Sequence, residues 1–241
     1  MFDLTSVLLI LVGIGAGFVQ RVSGFGLGIF AMLFMPHFMP SAPEAATVSC
    51  LFSVGTSTYN AIRYRKDIPY KTVLPLMIAA LISIPIAVRF SATVPQAFFE
   101  RLLGVVLVGI SIWFLFFDQK ISIRPTTVNG ALAGALGGTL NGLFSTGGPP
   151  IVLYLSHACA TTAAYFAGIQ FYFAVTNVYA VAMRAFNGLL SWQLLLYAAI
   201  GMIGCMVGDF LGRKVFHKLN AARLKKVIYG GMIVSGILML F

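Results

Sequence analysis

The sequence predicts an all-α polytopic membrane protein of two inverted-topology repeats, residues 1–120 and 121–241, each a broken-helix hairpin followed by three transmembrane helices. Three observations predict it. The first is composition: 59% of the residues are hydrophobic and 9% charged, with a mean hydropathy of +0.95, which leaves no room for a water-soluble domain. The second is a break, Phe144-Ser145-Thr146-Gly147-Gly148-Pro149-Pro150, between apolar runs 126–143 and 151–160. Glycine loosens a helix and proline removes a donor, so the chain breaks here, and a break inside hydrocarbon survives only where protein or a cavity satisfies its freed backbone groups. The third is a twin of that break, Ser23-Gly24-Phe25-Gly26-Leu27-Gly28, at the matching place in the first half.

In chain order the apolar stretches run 4–20, 24–40, 43–62, 71–88, 97–117, 126–143, 147–160, 162–186, 190–212 and 223–241. A helix needs roughly 20 residues to cross a bilayer, so 24–40 and 147–160 are short and the rest are full spans, eight to ten membrane segments in all. The first run follows Met1-Phe2-Asp3 without a basic leader and is expected to be retained. A shift of 121 residues places Gly13 on Gly134, Gly26 on Gly147, Val54 on Val175, Arg63 on Arg184 and Gly109 on Gly230, and sets Gln20 beside Asn141 just before each break. The halves meet in the polar stretch 118–125.

Orientation follows from the basic residues. With each broken pair counted as a hairpin, Arg21, Arg63, Arg65, Lys66, Lys71, Lys120, Arg124, Arg213, Lys214, Lys218, Arg223, Lys225 and Lys226 fall on one side and only Arg89, Arg101 and Arg184 on the other. The cluster marks the inner face and puts both termini outside. Parity leaves open whether each broken pair is a re-entrant hairpin or two tilted crossings. The net charge of +10 is thereby explained by membrane orientation, and nucleic acid is not an expected partner. Cys50, Cys159 and Cys205 lie in apolar runs, and His37, His157 and His217 lack a His or Cys neighbour, so neither metal nor cofactor is expected.

Inverted repeats with discontinuous elements at matching positions point to a secondary transporter whose site lies near the midplane. A helix restarts after each break, at about Gly28 and about Pro150, and its first N–H groups and dipole suit an anion. The candidate substrate-binding residues are Gln20, Arg21, Ser23, Gly24, Phe25 and Gly26 around the first break and Asn141, Ser145, Thr146, Gly147 and Gly148 around the second. Asn60, Gln170 and Asn177 join them as intramembrane amides. Arg63 and Arg184 close one span each and are expected to snorkel to the interface. Only Glu44 and Asp209 are acids within or at the edge of a span, so tight coupling to a proton or sodium ion is not indicated.

On Ser23-Gly24-Phe25-Gly26-Leu27-Gly28 followed by Pro36, on Gly142-Leu143-Phe144-Ser145-Thr146-Gly147-Gly148-Pro149-Pro150 and on its duplicated small size, the chain resembles the sulfite exporter TauE/SafE family. It departs from the family's usual triple-glycine run: Leu27 interrupts the first copy and Pro149 replaces the last glycine of the second. The resemblance implies transport of sulfite or sulfonates such as sulfoacetate across the bacterial inner membrane, often outward. An anion channel on the same scaffold and a transporter of small carboxylates remain alternatives; an enzyme is not expected, because no paired carboxylates, His cluster or activated nucleophile is present. The expected partners are a small anion and the lipid bilayer, and a homo-oligomer is compatible with the sequence.

Overall fold

The computed structural model describes residues 4–116, 123–215 and 221–240, with the side chains of 215–229 left aside. Residues 118–122 of the expected linker 118–125, His217, Lys218 and both chain ends lie outside the described residues. Everything regular in them is helical: α1 (Leu4–Ser23), α2 (Leu27–Phe34), α3 (Ala42–Arg63), α4 (Tyr70–Thr93), α5 (Gln96–Phe116), α6 (Thr127–Phe144), α7 (Gly148–Ala158), α8 (Thr162–Phe186), α9 (Trp192–Val215) and α10 (Ala221–Leu238), with short 3₁₀ turns at Met35–His37 and Arg65–Asp67.

The solvent for which these helices are built is visible in what they expose. Along α4, Leu74, Ile78, Ile82 and Ile86 recur every four residues and are 50–70% exposed, while Ala80, Ile84 and Val88 on the other face are buried. An aliphatic stripe of that length facing outward suits lipid rather than water. Among the described residues five helices are long and apolar enough to span a bilayer: α1, α4, α5, α8 and α9. The α3 helix is absent from that set for a physical reason. Its Thr47, Ser49, Ser53, Ser57 and Asn60 are buried against other helices, so it meets protein where the others meet lipid.

Small residues decide which helices touch. The α1 helix lies along α9, α6 along α4, α3 along α8, and α5 along α10. At the first two contacts the backbones are in contact: a Cβ added to Gly17 would come within 2.2 Å of the Cys205 carbonyl oxygen, and one on Gly134 within 2.1 Å of the Leu76 carbonyl oxygen. Such approach without side chains between the axes is how helices gain dispersion contact in a medium that offers no hydrophobic drive. A Gly208→Val substitution, whose Cβ would fall 2.0 Å from the Ile14 carbonyl oxygen, is therefore expected to pry α9 from α1. A loss of about 1–3 kcal/mol is expected, read as a lower thermal midpoint of the purified protein in detergent.

Candidate functional site

The site is built by two helices that start without a cap. At α3, α6 and α8 side chains close the helix beginnings: Ser41 Oγ accepts from the Glu44 N–H (3.3 Å), Thr126 Oγ1 from Asn129 (3.2 Å) and Thr161 Oγ1 from Ala164 (3.1 Å), while α4 starts behind Pro69 without a side-chain cap. At α2 and α7 the cap positions are Gly26 and Gly147, and no side chain caps either one. Their leading N–H groups stay available to a ligand. The two tips are unequal, however: α7 begins Gly148-Pro149-Pro150, and its prolines offer no N–H, so α2 is the richer donor. The helices restart at Leu27 and Gly148, a residue or two before the expected Gly28 and Pro150.

The breaks are tight turns held in unusual backbone geometry. Gly24 and Gly26 have φ of +80° and +97°, and Ser145 is the one described non-glycine residue at positive φ, +58°. Ser145 closes α6, its N–H donating to the Asn141 carbonyl (2.9 Å) while the Thr146 N–H reaches the Leu140 carbonyl (3.4 Å). Serine in this region costs on the order of 1–3 kcal/mol, and strain of that kind gathers at binding sites.

The two tips meet. A Cβ on Gly28 would sit 1.7 Å from the Ser145 carbonyl oxygen, and one on Gly148 would sit 2.9 Å from the Phe25 ring. Between them is a cavity of about 20 Å³ lined by Gln20, Phe25, Gly26, Asn141, Ser145, Thr146, Gly148 and Asn177 of the expected set, together with Leu27, Gly28, Ile29, Ser53 and Phe173. Three buried polar atoms on its wall have no hydrogen-bond partner: Asn141 Nδ2, Ser145 Oγ and Thr146 Oγ1. The Cys50 thiol lies beside Ser145 Oγ. Ser53 escaped the sequence reading, although it lies four residues before Ser57 and seven before Asn60, a spacing that puts all three on one helix face.

Of the other expected residues, Gln170, Arg21, Ser23, Gly24, Gly147 and Asn60 lie off this wall, and the wall residues Gln20 and Asn177 are tied to their neighbours. Gln170 is fully buried and is engaged with the first break: its Nε2 donates to the Gly24 carbonyl (2.8 Å) and its Oε1 accepts from Gln20 Nε2 (3.2 Å). Gln20 also donates to Ser57 Oγ (3.2 Å) and accepts from Thr56 Oγ1 (2.8 Å). Ser23 Oγ rests against the Val19 and Phe25 carbonyls, closing the first turn. Asn177 Nδ2 donates to the Phe173 carbonyl (2.9 Å). Gly147 packs on α6, where a Cβ would meet the Gly137 carbonyl oxygen at 2.2 Å. Arg21, Ser23 and Gly24 line a separate 390 Å³ cavity with Tyr64, Asp67, Phe166 and Arg213. Asn60 lines a third, of 260 Å³, with Thr56, Tyr59, Asp209 and Arg213. There Asp209 is ion-paired to Arg213, which leaves it poorly suited to relay protons.

One expectation is corrected. Arg184 does not snorkel to the interface. It is fully buried, donating through Nη2 to the Gly142 (2.8 Å) and Leu143 (3.2 Å) carbonyls and through Nη1 to Thr47 Oγ1 (3.2 Å) and the Pro43 carbonyl (3.4 Å). The last turn of α6 ends on it, and the carbonyls left unpaired at a helix C-terminus attract a cation more strongly than the headgroup region does. Arg63, its counterpart across the shift, is exposed and donates to the Tyr59 hydroxyl (3.2 Å).

Comparison with known proteins bears on this geometry. A family model described as sulfite exporter TauE/SafE matches residues 9–239. A relative from Cupriavidus necator, described as a probable sulfite/organosulfonate exporter TauE, is 25% identical over 229 residues, spanning 92% of this chain and 89% of the relative. No solved structure matches the chain.

Proposed function

The chain belongs to the sulfite exporter TauE/SafE family, and from that premise we propose that it is a secondary transporter carrying sulfite or small sulfonates such as sulfoacetate outward across the bacterial inner membrane. The anion is held near the midplane by the two tips. One observation carries this reading: Asn141 Nδ2 and Thr146 Oγ1, a donor amide and a hydroxyl, are buried and unpaired on the wall that both uncapped helices share. An orphaned buried polar group costs about 1–3 kcal/mol, a cost that an anionic ligand accepting both hydrogen bonds removes.

The cavity admits about one water, so the tips part to let a sulfonate in and the close approach of Gly28 to Ser145 re-forms behind it. In this reading the chain is a pair of inverted halves, 1–120 and 121–241, with both termini outside. Support comes from helix order: displaced by 121 residues, α1 to α5 fall on α6 to α10 in turn, Leu27 landing on Gly148 and Arg63 on Arg184. Packing exchanged between the halves, α1 on α9 and α6 on α4, supports it too. An anion leaving an inside-negative cell gains roughly 2.3 kcal/mol per charge per 100 mV, enough to drive export without a coupling ion.

Calorimetric titration of the purified protein with sulfite, sulfoacetate, taurine, sulfate, acetate and chloride tests the reading. Selective binding of sulfite or a sulfonate is expected, weakened about tenfold or more in Thr146→Val and Asn141→Ala, since each removes one hydrogen bond to a charged ligand. Binding of none of the panel, or equal binding by parent and variants, would sink the assignment of the site.

A further inference from the structure

Arg184 is a buried cation that no carboxylate answers. Among the described residues the ion pair formed is Arg213 with Asp209, and Glu44, the acid next in sequence to the Pro43 carbonyl that Arg184 holds, makes no ion pair with it. Backbone carbonyls and one hydroxyl accept from its terminal nitrogens, while its Nε makes no hydrogen bond. A guanidinium taken out of water is strongly unfavourable unless a negative charge compensates it. The α6 carbonyl dipoles supply only a fraction of one.

Its position shows where the rest comes from. The two α6 carbonyls it grips belong to Gly142 and Leu143, the residues that follow Asn141 and lead into Ser145. Its other neighbour is the Cys50 thiol, which lies beside Ser145 and donates to Asn177 Oδ1 at 3.2 Å. Asn141, Ser145 and Asn177 all line the cavity between the tips. The charge therefore stands one layer of side chains behind the orphaned donors.

Resting on the anion reading above, we propose that Arg184 is the fixed positive charge of the transport site, a positioning residue that holds the second tip and sets the preference of the cavity for charge on the ligand. The anion completes the compensation that the protein leaves unfinished. Both arginine roles act without contact between guanidinium and ligand, so what distinguishes a charge role from a merely structural one is dependence on ligand charge. At an effective dielectric of ~20, a unit charge roughly 10 Å away changes affinity by about tenfold for each ligand charge.

Titration of full-length protein in detergent with methanesulfonate, a monoanion, and sulfoacetate, a dianion, reads this directly. Arg184→Gln is expected to weaken methanesulfonate about tenfold and sulfoacetate about a hundredfold, whereas Arg184→Lys stays within about threefold for both. Cys50→Asp gives a second route that leaves the hydrogen bonds of Arg184 Nη1 and Nη2 in place: the introduced carboxylate neutralises the guanidinium and is expected to reproduce the unequal losses, which carries the test if the glutamine variant fails to fold. Equal losses for the two ligands in either variant, or none, overturn the proposal and leave Arg184 as a structural clamp. Failure of the parent protein to bind either ligand overturns the anion reading itself, and this inference with it.

Discussion

A Gly28→Ala variant is expected to lose anion binding by roughly a hundredfold while Gly109→Ala binds like the parent. The first α-carbon of α2's second residue faces the second break so closely that an added methyl would lie 1.7 Å from the Ser145 carbonyl oxygen and 2.9 Å from its carbon. Backbone cannot yield as a side chain tip does. Ser145 is fixed at positive φ by its hydrogen bond to Asn141, so relief requires the tips to separate. Overpacking of a tight core costs typically 1–3 kcal/mol and occasionally more, and 2.8 kcal/mol is a hundredfold in an equilibrium constant. At Gly109 nothing lies within 4 Å of the added atom, and alanine is the better helix former by about 1 kcal/mol. The pair thus separates a spatial demand from any general intolerance of alanine. Near-parent affinity in Gly28→Ala would mean that the tips do not touch in the binding state.

Gly28 also illustrates what was legible in the sequence. Both breaks were, because glycine and proline act locally: the helices stop at Ser23 and Phe144 and restart at Leu27 and Gly148 for reasons confined to those residues. So were the amides Gln20 and Asn141, whose places just before the breaks bring them onto the cavity wall. Partner choice was not legible. That α1 lies on α9, or that the α8 residue Gln170 reaches the Gly24 carbonyl across 146 positions of sequence, depends on which helix faces meet. In a membrane both faces of most helices are apolar, and the usual amphipathic signal fades. Arg184 shows the same limit from the other side. An arginine near the end of an apolar span reads as an interfacial anchor, and only the arrival of the α6 C-terminus beside it makes burial the better state.

The second large effect is expected at Gln170. Replacing it with leucine keeps the volume but strips the Gly24 carbonyl of its amide donor and removes an acceptor from Gln20 Nε2. The buried Gly24 carbonyl is left unpaired at a cost of about 1–3 kcal/mol, and Gln20 Nε2 keeps only Ser57 Oγ as acceptor, so the first break loosens and flux into proteoliposomes is expected to fall roughly tenfold to a hundredfold, with the protein still inserted and monodisperse. Gln170→Glu keeps the acceptor for Gln20 but sets a carboxylate against the Gly24 carbonyl, and is expected to be no better. A double-mutant cycle with Gln20→Leu measures the coupling, since both single changes break the same bond; additive losses would show that the amides act separately. The consequence reaches beyond one hydrogen bond. Gln170 holds the first break and Arg184 the end of α6 before the second, fourteen residues apart on α8, which is roughly 21 Å along a single helix. On the proposed reading, a helix gripping both tips would couple opening toward one face to closure toward the other, the behaviour that a carrier requires and a channel does not.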